Sequence, residues 1–162
     1  MSRALFVARF GDIFEHSPEI AEAAYRGGLR PADDTAEGLH ATMVRAMRAQ
    51  SADRQRALVD AHPDLAGRLA LANQLTADST REQGSAGLDR LTPAELAEFT
   101  ALNERYRARF GFPYILAVKG RDKAEILANF KSRVDNSVEA EFEEALRQIE
   151  RIALLRLKDR LP

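Results

Sequence analysis

Proton transfer near neutral pH calls for imidazole, and this sequence holds three candidates: His16, His40 and His62. His40 lies inside an amphipathic run and reads as a partly buried structural histidine. His16 precedes Ser17-Pro18 and reads as a cover for a helix end. His62 differs, because Ala61-His62-Pro63-Asp64-Leu65 places it where one helix stops and Pro63 can start the next. A side chain at such a junction projects from rigid backbone without being sealed in a core, which suits an acid–base group. By spacing alone, a structural histidine still weighs slightly more than a catalytic one.

Two other segments carry polar or backbone chemistry. In Leu75-Thr76-Ala77-Asp78-Ser79-Thr80-Arg81-Glu82-Gln83, the side chains of Ser79, Glu82 and Gln83 fall within one helical turn. A capping box on a solvated helix and a polar wall facing a small ligand are evenly balanced readings. The apolar run Phe112-Pro113-Tyr114-Ile115-Leu116-Ala117-Val118 is the one strand-like stretch, and a lone strand cannot make a sheet. As an extended connector it leaves backbone N–H and C=O groups to be satisfied by side chains, water or a ligand. Lactam and urea groups would pair well with such backbone.

Other chemistries lack their residues. No two histidines share a helical face, and His62 with Asp64 is too thin a ligand set, so no metal is expected. Ser85 sits in Gln83-Gly84-Ser85-Ala86-Gly87, which is not a nucleophile elbow. Gly27-Gly28 follows a helix rather than a strand and reads as a helix stop, not a phosphate loop. With 0 Cys, thiol nucleophiles, disulfides and Cys-rich metal sites are excluded.

The elements that must hold these groups are helical. Ser17-Pro18 signals a helix start, Asp34 with Glu37 has a capping-box-like spacing, and Ser51 can cap the next segment. Thr92-Pro93-Ala94-Glu95 is the clearest start; Leu96, Phe99, Leu102, Tyr106 and Phe110 follow at helical steps, and Gly111 supplies the stop. Asp122 opens a helix through Ile126, Phe130 and Val134, and Ser137 opens one through Phe142, Leu146, Ile149, Ile152 and Leu155. The expected fold is all-α: a compact single-domain bundle over residues 1–162, with roughly seven or eight helices and one extended connector.

Composition agrees. The chain has 162 residues, 45% hydrophobic and 30% charged, which is globular. Lys plus Arg number 24 against 25 Asp plus Glu, a net charge of −1, so a nucleic-acid partner is not expected. The N-terminal stretch MSRALFVARFGDIF is too short and too interrupted for a signal peptide or membrane span, and Arg160-Leu161-Pro162 matches no common address signal. A cytoplasmic protein without a membrane partner is expected.

Taken together, His62-Pro63-Asp64-Leu65-Ala66-Gly67, Leu75-Thr76, Ser79-x-x-Glu82-Gln83, Ala86-Gly87-Leu88, Asn103-x-x-Tyr106 and Phe110-Gly111-Phe112-Pro113 resemble the OHCU decarboxylase family. OHCU is 2-oxo-4-hydroxy-4-carboxy-5-ureidoimidazoline, a labile intermediate of urate degradation. The resemblance runs from about Phe14-Glu15-His16-Ser17-Pro18 to Leu155-Arg156-Leu157. It implies an all-helical homodimer that uses no cofactor and releases CO2 to give (S)-allantoin. It also implies His62 as catalytic histidine and Pro63 as its neighbouring substrate contact. Polar contacts fall on Ser79, Glu82 and Gln83, backbone contacts on Tyr114, Ile115, Leu116, Ala117 and Val118, and a C-terminal arginine on Arg156. Glu82 and Arg156 join His62 as expected catalytic residues. Two departures stand out: Glu19 where many members have tryptophan, and Tyr114 in place of a common phenylalanine. The competing reading is an inactive helical binding module of the same descent.

Overall fold

The structure, a computed structural model, describes residues 1–65, 67–68 and 90–161. Seven α-helices and one 3-10 turn occur among them: α1 (Arg3–Phe10), α2 (Pro18–Arg26), the turn Pro31–Asp34, α3 (Ala36–Arg48), α4 (Ala52–Ala61), α5 (Pro93–Phe110), α6 (Lys123–Arg133) and α7 (Val138–Lys158). No strand is found among the described residues, and the stretch from Pro113 to Val118 is the expected non-helical connector.

Most helix starts fall where the sequence puts them. Thr92 and Glu95 form a reciprocal capping box at α5, with Pro93 in the first turn, and Gly111 closes the helix in the left-handed region at φ 72°. Ser51 accepts from Arg54 N–H at α4, and Ser137 accepts from Ala140 N–H at α7. Asp122 starts α6 and gains a capping box with Glu125. Two starts differ. Thr35, not Asp34, caps α3 by accepting from Gly38 N–H, because residues 31–34 are already wound into the 3-10 turn. Ser17 stands at the start of α2, but its hydroxyl turns back to donate to the Glu15 carbonyl at 3.0 Å and makes no cap.

The chain divides into two compact units, Met1–His62 with Leu146–Pro162 and Pro63–Ala145. In the first, Phe6, Phe10, Ile13, Phe14, Ile20, Leu39, Met43, Met47, Val59, Ile149 and Leu157 are buried. Gly38 permits the 3-10 turn to press on α3: a Cβ there would meet the Ala32 carbonyl oxygen at 1.8 Å. His40 is the structural histidine expected, its Nε2 2.8 Å from the Glu150 carbonyl oxygen. In the second unit, Phe99, Tyr106, Phe110, Phe112, Tyr114 and Phe130 form an aromatic core. Tyr106 meets Phe112 and Tyr114 edge-on, with centroids 6.0 and 5.4 Å apart.

Candidate functional site

Proline after His62 keeps that residue out of helical geometry, and α4 ends there with His62 extended at φ −69°, ψ 137°. The His62 N–H still donates to the Val59 carbonyl at 3.2 Å, which anchors the residue to the last turn. Its side chain is 6% exposed, with Pro63 and Asp64 half-buried and Leu65 buried. The helix break predicted from Ala61-His62-Pro63 is therefore present, but helix resumes at Leu65 rather than at Pro63, and His62 is buried where the sequence reading left it outside the core.

Also in the first unit, the turn between α1 and α2 carries Asp12, Ile13, Glu15 and His16. His16 adopts φ 50°, a left-handed conformation that a residue with a Cβ rarely takes. Arg156 of α7 clasps this turn. Its Nη1 donates to the carbonyls of Asp12 and Ile13 at 3.3 and 3.1 Å, and its Nη2 donates to Glu15 Oε2 at 2.7 Å. Partial burial works against ionisation of Glu15. The Arg156 hydrogen bond and charge, joined by the charges of His62 and His16, nevertheless hold its carboxyl below the ordinary 4.5. Among the predicted site residues, Arg156 thus pairs with Glu15, and His62 belongs to the same unit.

The second unit holds the connector and the rest of the motif residues that are described. Asn103 Nδ2 donates to Asp64 Oδ2 at 3.3 Å, joining the Asn103-x-x-Tyr106 block to the His62-Pro63-Asp64 block. Phe112 through Ala117 are buried, and Val118 is half-buried. The Tyr114 hydroxyl donates to Asn129 Oδ1 at 2.5 Å, and the Ile115 carbonyl accepts from Arg133 Nη1 at 2.6 Å. Burial pushes the Tyr106 and Tyr114 hydroxyls far above their usual range, so both are donors at any physiological pH.

Ser79, Glu82 and Gln83 lie outside the described residues. Among the described residues, no group of three or more His, Cys, Asp or Glu side chains could hold a metal ion. A cavity of about 210 Å³ in the first unit is lined by Phe6, Phe10, Leu29, Leu39, Asp33 and neighbours, and contains none of the predicted site residues.

Sequence reasoning passed over Glu15. Its signal was position alone: it belongs to the Phe14-Glu15-His16-Ser17-Pro18 block, and no helical spacing connects it with Arg156 or His62. It also passed over Arg133 and Glu141. There a signal existed, since Arg133 continues the face of Ile126 and Phe130 at seven- and three-residue steps, which puts a charge on a buried stripe.

Helix order, an extended connector and a histidine at a proline-broken helix end define an all-α protein with its polar groups gathered at turns. A crystal structure of (S)-allantoin synthase matches it with a TM-score of 0.79 and 32% identity, covering 99% of this chain and 51% of that one. A crystal structure of an OHCU decarboxylase, solved in the presence of (S)-allantoin, shares the fold with a TM-score of 0.67 at 22% identity, over 98% of this chain and 97% of the other. The family model described as OHCU decarboxylase matches residues 1–158. The chain belongs to the OHCU decarboxylase family. It is 43% identical over 155 residues to the 2-oxo-4-hydroxy-4-carboxy-5-ureidoimidazoline decarboxylase of Haloferax volcanii, covering 96% of this chain and 88% of the relative. The mouse protein of the same name is 37% identical, over 96% of this chain and 86% of its own.

Proposed function

We propose that this protein decarboxylates OHCU to (S)-allantoin and CO2, without a cofactor, in urate degradation. As a family member it is a carbon–carbon lyase. The observation that carries the reading is the buried His62 at the α4–Pro63 break, in the same unit as the Arg156–Glu15 ion pair. Similarity to relatives named as decarboxylases supports this reading over an inactive binding module.

The chemistry explains why no cofactor is called for. Loss of CO2 leaves an electron pair on a carbon that bears a hydroxyl and adjoins a ring C=N, so the substrate contains its own electron sink. The hydroxyl must then become a carbonyl, and a proton must reach one face of the adjacent carbon. His62 is proposed to exchange these protons. Pro63, Ser79, Glu82 and Gln83 are proposed as substrate contacts, with backbone contacts along Tyr114–Val118. Glu82 would pair with the hydroxyl or with imidazolium, or set an unfavourable field at the substrate carboxylate. Arg156 would serve as the cation of the site. Its Nη1 and Nη2 already serve Asp12, Ile13 and Glu15, so a substrate carboxylate or carbonyl would share the guanidinium with that turn.

The finer properties follow the same resemblance. Residues 1–162 are read as one functional domain, working as a homodimer in the cytoplasm. No described helix is long and apolar enough to cross a membrane. Sedimentation at micromolar concentration tests the dimer, and a strictly monomeric profile counts against it.

The deciding experiment generates OHCU from urate in situ and follows the circular dichroism of allantoin with and without the protein. The expected result is rapid appearance of the (S)-enantiomer, unaffected by chelator. Racemic product at the spontaneous rate would overturn the assignment.

A further inference from the structure

The second unit buries a charge pair that the reaction, as outlined, does not use. Arg133 at the end of α6 is 4% exposed and Glu141 in α7 is 0% exposed. Arg133 Nε donates to Glu141 Oε1 at 2.8 Å, and Nη2 lies 2.6 Å from the same oxygen. The Tyr106 hydroxyl donates to that oxygen at 2.6 Å, and Asn136 Nδ2 donates to Oε2 at 3.0 Å. Such a pair adds little net stability, because desolvating two charges offsets most of their attraction, and apolar replacements are often neutral or better. Stability therefore gives a poor account of why two charges are buried here.

The third nitrogen of the same guanidinium supplies a better one. Nη1 donates to the Ile115 carbonyl at 2.6 Å, and the guanidinium carbon stands 4.6 Å from the centroid of the Tyr114 ring. Both residues belong to the extended connector, which pairs with no strand among the described residues. A trans peptide is one rigid plane with its C=O and N–H on opposite edges. Holding the Ile115 oxygen therefore sets the direction of the Leu116 N–H on the other edge.

We propose that Arg133, itself oriented by Glu141, Tyr106 and Asn136, is a positioning residue for substrate. By pinning the Ile115 carbonyl it aims the Leu116 N–H at an acceptor oxygen of a ureide or lactam. This rests on the reading of Tyr114–Val118 as the backbone contact of the substrate. It adds a residue on another element whose task is the orientation of that backbone. Glu141 keeps the guanidinium fork from turning, and it balances the charge so that a cation can be buried beside the connector.

Two variants test it. Arg133→Lys keeps a charge opposite Glu141, but one ammonium cannot reproduce the planar fork that serves Glu141 and Ile115 together. The double variant Arg133→Met with Glu141→Leu removes both charges at similar volume, leaving the Ile115 carbonyl without its donor. Steady-state kinetics, melting and the amide NMR resonance of Leu116 are measured for each. Positioning predicts a KM raised about 10–100-fold with kcat moving less, and a shifted Leu116 amide in the folded fraction, whatever the change in melting. A merely structural pair predicts KM and the Leu116 resonance unchanged in the folded fraction, and that result overturns the proposal. If the double variant fails to fold, Arg133→Lys decides by the same readouts. A wild-type protein that makes no (S)-allantoin removes the proposed function, while the Leu116 amide still reports whether Arg133 pins the connector.

Discussion

Arg156 Nη2 lies 2.7 Å from Glu15 Oε2, a contact between residues 141 positions apart in the sequence. The same guanidinium donates to the Ile13 carbonyl, so one side chain of α7 fixes both the backbone and the carboxylate of the α1–α2 turn. Lysine cannot fork in this way. Arg156→Lys should lose about 1 kcal/mol of stability through weakened charge-assisted hydrogen bonds. Turnover should fall as well. Unchanged melting together with unchanged kinetics would make Arg156 inert in both fold and reaction.

Glu15 and Asp12 contribute to the acid sensitivity of the first unit. The Arg160 hydrogen bond leads in holding Asp12 below the ordinary 3.8; for Glu15, burial opposes and Arg156 prevails, below the ordinary 4.5. Groups with lowered native pKa contribute stability above their unfolded values and lose it as pH falls through the native ones. Melting temperature should therefore drop as pH is taken from about 6 to about 3, and Glu15→Gln should flatten the slope. A Glu15→Gln profile superimposable on the wild type contradicts the assignment of cause.

Proton exchange at His62 should be lost in His62→Asn, which keeps polarity and approximate size. A positioned acid–base group is worth about 10²–10⁴-fold. Glu82→Gln removes charge while keeping shape. If Glu82 supports imidazolium, the double variant should fall by less than the product of the two losses. The readout must include enantiomeric excess, since OHCU also decays spontaneously to racemic allantoin. Near wild-type formation of (S)-allantoin by His62→Asn would make His62 a structural histidine.

Phe130 sits at 0% exposure between Phe99 and Tyr106, with ring centroids 6.3 and 5.8 Å away. Phe130→Ala should cost about 3–5 kcal/mol, from lost burial and an uncollapsed cavity. Denaturant unfolding measures this. A cost below about 1 kcal/mol would mean that the aromatic core closes around the gap.

Local signals were readable where chain neighbours alone decide the geometry. Thr92 and Glu95 form their capping box because both partners lie within one turn, and His62 leaves the helix because Pro63 follows it. Asp34 failed as a cap because the preceding 3-10 turn absorbed it, and Ser17 failed because its hydroxyl found the Glu15 carbonyl first. Each is a competition between nearby acceptors and donors that spacing does not resolve. The partners of Arg156 and Arg133 were harder still. Glu15 lies 141 residues from Arg156, and the Ile115 carbonyl belongs to a backbone group that residue type does not mark.

The first unit also sets an order of events for the growing chain. Arg160 donates to both carboxylate oxygens of Asp12 and to the Arg9 carbonyl, while Arg9 Nη2 donates back to the Arg160 carbonyl. Arg9 and Asp12 thus wait for Arg160, made about 150 residues later. During synthesis α1 and α2 leave the ribosome long before α7, so the α1–α2 turn forms at first without Arg156 and Arg160 to hold it. Loop-closure entropy for contacts about 150 residues apart makes this clasp a late event in refolding as well. A nascent chain stalled before Leu146 would present the α1–α2 turn open to chaperones and proteases, and release of the C-terminal segment would close it.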